Sequence, residues 1–555
     1  MKKNIKYIIL LIVGIIFLGF NAFHGSLWYD ESYSMAIIQH GFATIWNDTA
    51  LDVHPPLYYM MLKVFLMIFG YSITAARIFS VIGALLLASL GFTHLRKLFN
   101  DKVGFTFSFL TIFLPVTLGY AIEIRMYTWV AYFVSLTAIY AYKLYLRLNK
   151  NVELDSPDKN GNSNKHLNSG THKSVNKLSL SDRLKNLGKH GNLDLLVPLM
   201  IFSILSAYTH YFGLLTVAII NLFLLVYCVK NEKNKKLMIA SVIIDAVLYA
   251  PWLIWFLFAA ARVAFGFWIQ VDFNNVLNEI LTFVFCAIKA NTDMKYTIII
   301  AYPIMFFTIY KIIAFGKYTH ASHSDKHKKI HLVTSEKSSR FSLRKKTITI
   351  DTGIHYAAQL CLKVLVITML ITLAVSYLRP IFITRYLFPM IGLIIFMIAY
   401  AISTIERKRI FISLLTVILL FSIHNFYVEF KKDYDPQNNE VNNYINSQVQ
   451  PSDIIISADG LMGSSSILFP NNKGYFFNSD EWSIDVCNTY TNMERLPDVS
   501  MFSDYHGRVW VITSTDNIDL YNSIDNPNKK MLEESKHFVR PAFEDEFYVY
   551  LFEIK

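Results

Sequence analysis

The stretch KKNIKYIILLIVGIIFLGFNAFHGSLWYDESY, residues 2–33, decides how the rest of the chain is read. Tyr7 to Phe23 is one apolar run, long enough to approach the roughly 20 residues that cross a bilayer at about 1.5 Å rise each. Lys2, Lys3 and Lys6 precede it, and no small-residue cleavage site of the A-x-A kind follows. It therefore reads as an uncleaved span with its N-terminus in the cytoplasm, not as a signal peptide. Asp30 and Glu31 come a few residues past its end, on the outer side.

Similar runs recur along the chain. They fall near Ile73–Leu95, Val103–Leu118, Tyr127–Leu146, Leu193–Tyr208, Gly213–Val229, Leu237–Phe258, Tyr296–Phe315, Tyr356–Leu378, Tyr386–Ile405 and Ile410–Phe426. With the first they make about eleven expected transmembrane helices. When sides alternate along this order, the Lys- and Arg-rich loops all land with the N-terminus, the positive-inside pattern. The expected location is the plasma membrane, multi-pass, with a cytoplasmic N-terminus and an extracytoplasmic C-terminal domain.

Composition agrees. Of 555 residues, 54% are hydrophobic and only 17% charged, against about a quarter charged in soluble domains, and mean hydropathy is +0.36. The formal charge of +11 is unevenly placed. From Asn425 onward there are 10 Lys and Arg against 21 Asp and Glu, a net of −11, which leaves +22 for the loops before it. That distribution fits a bilayer with anionic headgroups and excludes nucleic acid as a partner. The four cysteines form no CxxC pair and no framework, so neither zinc nor disulfides are expected.

The expected organisation is a membrane domain over residues 1–426 and a small extracytoplasmic α/β domain over 427–555. Two polar cytoplasmic loops, 149–192 and 317–354, lack apolar periodicity and read as disordered; their histidines read as solvated. Pro56–Phe69, with Pro at its start, and Val276–Ala290 read as helices lying at the outer interface. In the tail, Asp453–Ser457 and Arg508–Ile512 read as buried strands and Glu440–Val449 as an amphipathic helix. Glu544-Asp545-Glu546 reads as a solvated acidic turn, and Asp433-Tyr434-Asp435 as an incidental D-x-D.

The chemistry-bearing residues gather on the outer side. Asp30 and Glu31 sit at the membrane surface, where a partly desolvated carboxylate becomes a stronger base able to deprotonate a hydroxyl. The alternative is structural, with Asp30 capping the next helix and Glu31 in its first turn. Asp52 and His54, in LDVHPPL (residues 51–57), read as metal ligands or as a rigid turn that aims a loop. Glu123 and Arg125, in GYAIEIRMY (residues 119–127), read as a local ion pair, or as a hydroxyl-orienting carboxylate beside a phosphate-binding guanidinium. His210 and Tyr211 end the fifth run, and Arg385 with Tyr386 opens the tenth; interfacial anchoring competes with a site there.

Asp-Glu after the first span, followed by D-x-H-P-P-L, resembles the GT-C glycosyltransferases, most closely the glycosyltransferase family 39 group. That group includes protein O-mannosyltransferases and the aminoarabinose transferase of lipid A. The resemblance covers roughly Trp28 to Pro389, with supporting segments E-I-R-M-Y, T-H-Y-F-G and R-Y-L-F-P. It implies an inverting transfer of a sugar from a polyprenyl-phosphate carrier to a hydroxyl acceptor (envelope glycan, lipid or protein) at the outer face. Asp30 would be the catalytic base. Glu31, Asp52 and His54 match positions that shape the donor and acceptor site, and Arg125 and Arg385 are candidates for the leaving phosphate. The tail shows no resemblance to the luminal domain of the eukaryotic O-mannosyltransferases, which counts against a protein acceptor. No metal ligands are assigned, and the one candidate cofactor is a divalent cation between Asp30 and the phosphate. The rival readings are a transporter or flippase of lipid-linked sugars, and a non-catalytic envelope sensor or scaffold. The chain shows no internal repeat, and its acidic groups lie outside the spans, which speaks against a transporter.

Overall fold

The computed structural model describes residues 4–51, 54–154, 192–265, 269–286, 294–314, 352–457, 462–477, 487–496, 498–516 and 518–555. The expected apolar runs are helical through their described residues, and the chain is a polytopic α-helical membrane protein with a small C-terminal α/β domain. Among the described residues, eight helices are long and apolar enough to cross a bilayer. The pair Asp101–Phe113 and Pro115–Ile122, bent by 61° at its break, passes the same test together and makes a ninth if the two are one span. Tyr127–Leu154 is long but less hydrophobic, and Leu193–Thr209 is short, so both rely on their neighbours.

The first helix, α1 (Ile5–Gly19), shows how composition sets placement. Tyr7, Leu10, Gly14 and Leu18 recur at helical spacing and are buried. Ile8, Ile12, Ile15 and Ile16 face outward, as they can in lipid but not in water. A short helix, α2 (Tyr29–Ile37), then carries Asp30 and Glu31 in its first turn, with extended Trp28 as N-cap. Next come α3 (Phe42–Leu51) and α4 (Leu57–Phe69), the second being the expected Pro-initiated apolar helix. After α5 (Ile73–Leu90), α6 (Asp101–Phe113) crosses so closely that a Cβ on Gly91 would lie 2.3 Å from the Gly104 carbonyl oxygen. Glycine at this crossing lets the backbones meet. The bend that follows has a covalent cause: Leu114 is extended before Pro115, which starts α7 (Pro115–Ile122).

The bundle continues through α8 (Tyr127–Leu154), α9 (Leu193–Thr209), α10 (Tyr211–Lys230), α11 (Lys235–Phe265), α12 (Val276–Thr282), α13 (Met294–Ala314) and α14 (Thr352–Leu378). It ends with α15 (Ile391–Ser403), entered through the 3-10 turn Thr384–Met390, and α16 (Lys408–Asp433). The Thr384–Ser403 span is 94% buried, whereas Lys235–Ala261 is 22% buried. The first is the bundle's centre and the second an outer wall, so Arg385 enters at the mouth of the central span.

The C-terminal part holds a six-stranded sheet in the order β3-β2-β1-β4-β6-β5. β1 (Ile454–Ser457), β2 (Lys473–Phe476), β3 (Met493–Arg495) and β4 (Gly507–Thr513) are parallel. The hairpin β5 (Lys529–Arg540) and β6 (Asp545–Ile554) pairs antiparallel beside β4. Each face has its own core, Ile454, Ile456, Val509 and Val511 on one, Ile455, Trp510 and Ile512 on the other. Burial on both faces is why the parallel strands read as unbroken apolar runs.

This sheet rests on the segment that holds Asp30. The fully buried Arg540 donates to the Leu27 carbonyl at 2.9 Å. Ser464 meets Ser32 at 3.0 Å, and His40 meets the Thr489 carbonyl at 2.7 Å.

Several expectations need correction. The 149–192 loop begins later, because α8 runs to Leu154, and the 317–354 loop ends earlier, because α14 starts at Thr352; the rest of both lies outside the described residues. The helix expected to end at Val449 stops at Asn446. The Val276–Ala290 helix stops at Phe285, with 287–290 outside the described residues. The acidic turn is paired, not merely solvated: Asp545 with Arg540, Glu546 with His537 and Glu544 with Lys432. In the D-x-D stretch, buried Asp433 accepts from Asn21 at 3.3 Å and Asp435 caps a 3-10 turn, which are structural duties.

Candidate active site

The site lies at the mouth of the bundle on the side covered by the C-terminal domain. Its foundation is a residue that the motif reading passed over. Arg77, on α5, is fully buried and forks onto Glu31, Nε to Oε1 at 3.2 Å and Nη2 to Oε2 at 2.9 Å. The same guanidinium donates to the carbonyls of His24 and Ser26, the latter at 2.7 Å. Glu31 Oε1 also accepts the Ile124 N–H at 3.2 Å. One bidentate pair thus ties together the end of the first span, the first turn of α2, the α5 helix and the turn after α7. Both carboxylate oxygens of Glu31 are engaged in this architecture.

Asp30, one residue earlier, points the other way. Its Oδ2 accepts from Arg385 Nη1 at 3.0 Å and lies 3.9 Å from Arg125 Nε. Its side chain keeps 18% exposure, so it is reachable where Glu31 is not. Arg125 is held from two further sides: Nη1 donates to Tyr59 at 3.0 Å and Nη2 to His54 Nε2 at 3.1 Å. The Arg385 guanidinium stands 5.8 Å from the Trp28 ring, and the neighbouring Thr384 donates to Glu279 at 2.6 Å. Two guanidiniums beside one accessible carboxylate is an arrangement that can bind an anion and hold a base at the same point.

His210 stands between α9 and α10. Its Nδ1 accepts the Phe212 N–H at 3.1 Å, capping α10. That bond places the remaining proton on Nε2, which is buried without a hydrogen-bond partner among the described residues. Burial, then the proximity of His54, Arg125 and Arg385, drives the imidazole's pKa well below its usual value. His210 is therefore a neutral donor aimed among the rings of His54, Tyr127 and Tyr386.

Glu123 and Arg125 do not form the local ion pair considered from sequence. The backbone N–H of Arg125 donates to the Glu123 carbonyl at 2.7 Å, while the Arg125 side chain turns to Tyr59, His54 and Asp30. Glu123 lies in the turn between α7 and α8, and burial pushes its carboxyl up to about 8; Arg385 opposes that shift and Asp30 adds to it. The Tyr211 hydroxyl accepts from Trp252 at 3.3 Å, and its ring packs against Phe256. Asp52 lies outside the described residues. No group of three or more His, Cys, Asp or Glu side chains stands in a metal-holding arrangement among the described residues. An apolar cavity of about 120 Å³ lies at the other end of the bundle, lined by Leu95, Leu98, Tyr142, Tyr145 and Tyr356, away from the charged groups.

The architecture is thus a helical bundle crowned by an α/β domain, with acidic and basic side chains meeting at their junction. No protein-family model matches the chain, and no curated protein matches it in sequence. In fold it is similar to ArnT from Cupriavidus metallidurans bound to undecaprenyl phosphate, with a TM-score of 0.52 and 11% identity over 99% of this chain and 97% of that one. The apo state of the same ArnT gives a TM-score of 0.45 and 12% identity over 98% and 97%. An Archaeoglobus fulgidus oligosaccharyltransferase tethered with an acceptor peptide gives 0.44 and 13% identity over 85% of this chain and 63% of that one.

Proposed function

We propose that this chain is an inverting glycosyltransferase that moves a sugar from a polyprenyl-phosphate carrier to a hydroxyl acceptor of the cell envelope, at the outer membrane face. The observation that carries this reading is the contact of Asp30 with Arg385, with Arg125 beside it, at the mouth of the bundle. Asp30 takes the acceptor's proton as its oxygen attacks the anomeric carbon. The phosphate leaves with growing negative charge, and the two guanidiniums stabilise that charge where it develops. Glu31, locked by Arg77, fixes the first turn of α2 and hence the position of Asp30. The GT-C type of fold, shared with a protein whose structure holds undecaprenyl phosphate, supports the choice of a lipid-linked donor.

In this reading Arg125 and Arg385 hold the donor phosphate, while His54 orients Arg125. The C-terminal domain, resting on α2 through Ser464 and on Leu27 just before it through Arg540, forms part of the acceptor's approach. The division of the chain into residues 1–426 and 427–555 belongs to the same proposal, as does the extracytoplasmic placement of the second part.

The test supplies membranes containing the protein with a panel of radiolabelled polyprenyl-phosphate sugars. Label leaving the lipid for a water-soluble or glycolipid acceptor is expected for at least one donor. Label that moves across vesicle membranes while still on its lipid would instead bring the flippase reading forward.

A further inference from the structure

Glu123 carries a buried carboxyl to which the mechanism above gives no task. It is 7% exposed, and its Oε2 has no hydrogen-bond partner among the described residues. Leaving such a group unpaired is costly, and functional sites are where that cost is met. Its electrostatic neighbours are Arg385, Asp30, Arg125 and Glu31. The Tyr127 hydroxyl and His210 Nε2 are also buried and without hydrogen-bond partners among the described residues; their rings stand 5.9 Å apart, with Tyr127 an electrostatic neighbour of Glu123. Three buried polar groups with unused hydrogen-bonding capacity, beside two guanidiniums, make a cradle for an anion with several oxygens.

As a neutral acid Glu123 offers an O–H to a phosphate oxygen, whereas an ionised Glu123 would set a carboxylate against the phosphate.

We propose that Glu123 is a donor-binding residue that acts as a neutral carboxylic acid, donating its O–H to a phosphate oxygen of the lipid-linked sugar. This rests on the transferase reading and deepens it. The groups that face Glu123 are Asp30 and Glu31 on α2, Tyr120 on α7, Arg125 in the same turn, Tyr127 on α8 and Arg385 before α15. Burial dominates their combined effect and keeps the proton on the carboxyl at neutral pH.

In the transfer, the acceptor's proton goes to Asp30 and the new bond forms from the acceptor oxygen to the anomeric carbon. The old bond from that carbon to the phosphate oxygen breaks, its electron pair leaving with the phosphate. The Glu123 proton stays on Glu123, and its hydrogen bond strengthens as the phosphate gains charge.

The experiment measures binding, not turnover. Full-length protein in lipid nanodiscs is titrated with a polyprenyl methyl phosphate, a phosphodiester whose single charge does not titrate between about pH 6 and pH 10. Wild type, Glu123→Gln and Glu123→Ala are compared, with thermal melting as a check on folding at each pH. Wild-type affinity is expected to fall about tenfold per pH unit above the Glu123 titration. Glu123→Gln, neutral at every pH and still a donor, should keep the low-pH affinity with a flat profile, and Glu123→Ala should be weak and flat. A wild type that binds with no pH dependence, or a Gln variant as weak as Ala, would overturn the proposal while leaving the donor reading standing. Absence of wild-type binding at every pH would overturn both.

Discussion

The pair between Arg77 and Glu31 offers the sharpest link between packing and chemistry. Arg77→Met keeps the volume of the arginine stem but strands Glu31, whose side chain is 3% exposed. It also removes the donor from two backbone carbonyls, those of His24 and Ser26. Losing one partner of a buried ion pair costs about 3–5 kcal/mol, and an orphaned buried acceptor adds about 1–3 kcal/mol. These effects share one site and do not add fully, so a loss of about 4 kcal/mol is expected. Arg77→Lys should recover less than half, since an ammonium cannot span four acceptors in one plane. The double variant Arg77→Met with Glu31→Leu removes the stranded charge together with its partner. It should be more stable than Arg77→Met alone, with a favourable coupling of about 2–3 kcal/mol in a double-mutant cycle. Thermal unfolding in detergent, followed by tryptophan fluorescence, reads wild type, Arg77→Met, Arg77→Lys, Glu31→Leu and the double variant. The reasoning fails if Arg77→Met unfolds within about 1 kcal/mol of wild type, or if the two substitutions simply add.

Other expectations concern the site itself. Arg385→Lys should preserve the fold and lower transfer by about 10²–10³-fold, because a compact ammonium cannot hold Asp30 and a phosphate together; label release under single-turnover conditions measures this. His210→Asn keeps an oxygen to cap α10 but removes the Nε2 donor. Its melting temperature should match wild type while KM for the donor rises about tenfold, whereas His210→Ala should also lose about 1 kcal/mol of stability with the cap. Glu123 makes stability depend on pH. Its folded carboxyl sits at about 8, far above the unfolded value of about 4.3, so the folded state binds the proton more tightly. Wild type should therefore lose stability relative to Glu123→Gln as pH rises from about 4.3 to about 8, and level off above, in melts across that range.

Much of this arrangement is legible in the chain, and the rest was hidden for physical reasons. Apolar runs reveal spans because lipid removes every other solution for the backbone, and Pro115 and Pro56 mark a bend and a helix start by their missing N–H. Asp30, Arg125 and Arg385 were placed near the mouth because each ends or follows a span. Their mutual contact was not legible, since residues 30 and 385 meet only when the central span is packed. Arg77 carried a signal that went unused: an arginine inside an apolar run must find a buried partner. Helix ends were blurred where polar residues continue a helix past its apolar part, as Tyr127–Leu154 does beyond Leu146. Paired charges such as Arg540 with Asp545 look like solvated turns until the hairpin folds back on Leu27.

The central claim is that Asp30 is the base of a sugar transfer. The measurement that tests it most directly compares wild type with a well-folded Asp30→Asn in membranes carrying the preferred labelled polyprenyl-phosphate sugar. Asn keeps the size of the side chain and a donor-accepting amide, but cannot take a proton near neutral pH. Label should leave the lipid in wild type and stay on it in Asp30→Asn, with a rate loss of at least about 10²-fold. Equal release from both proteins would contradict the account.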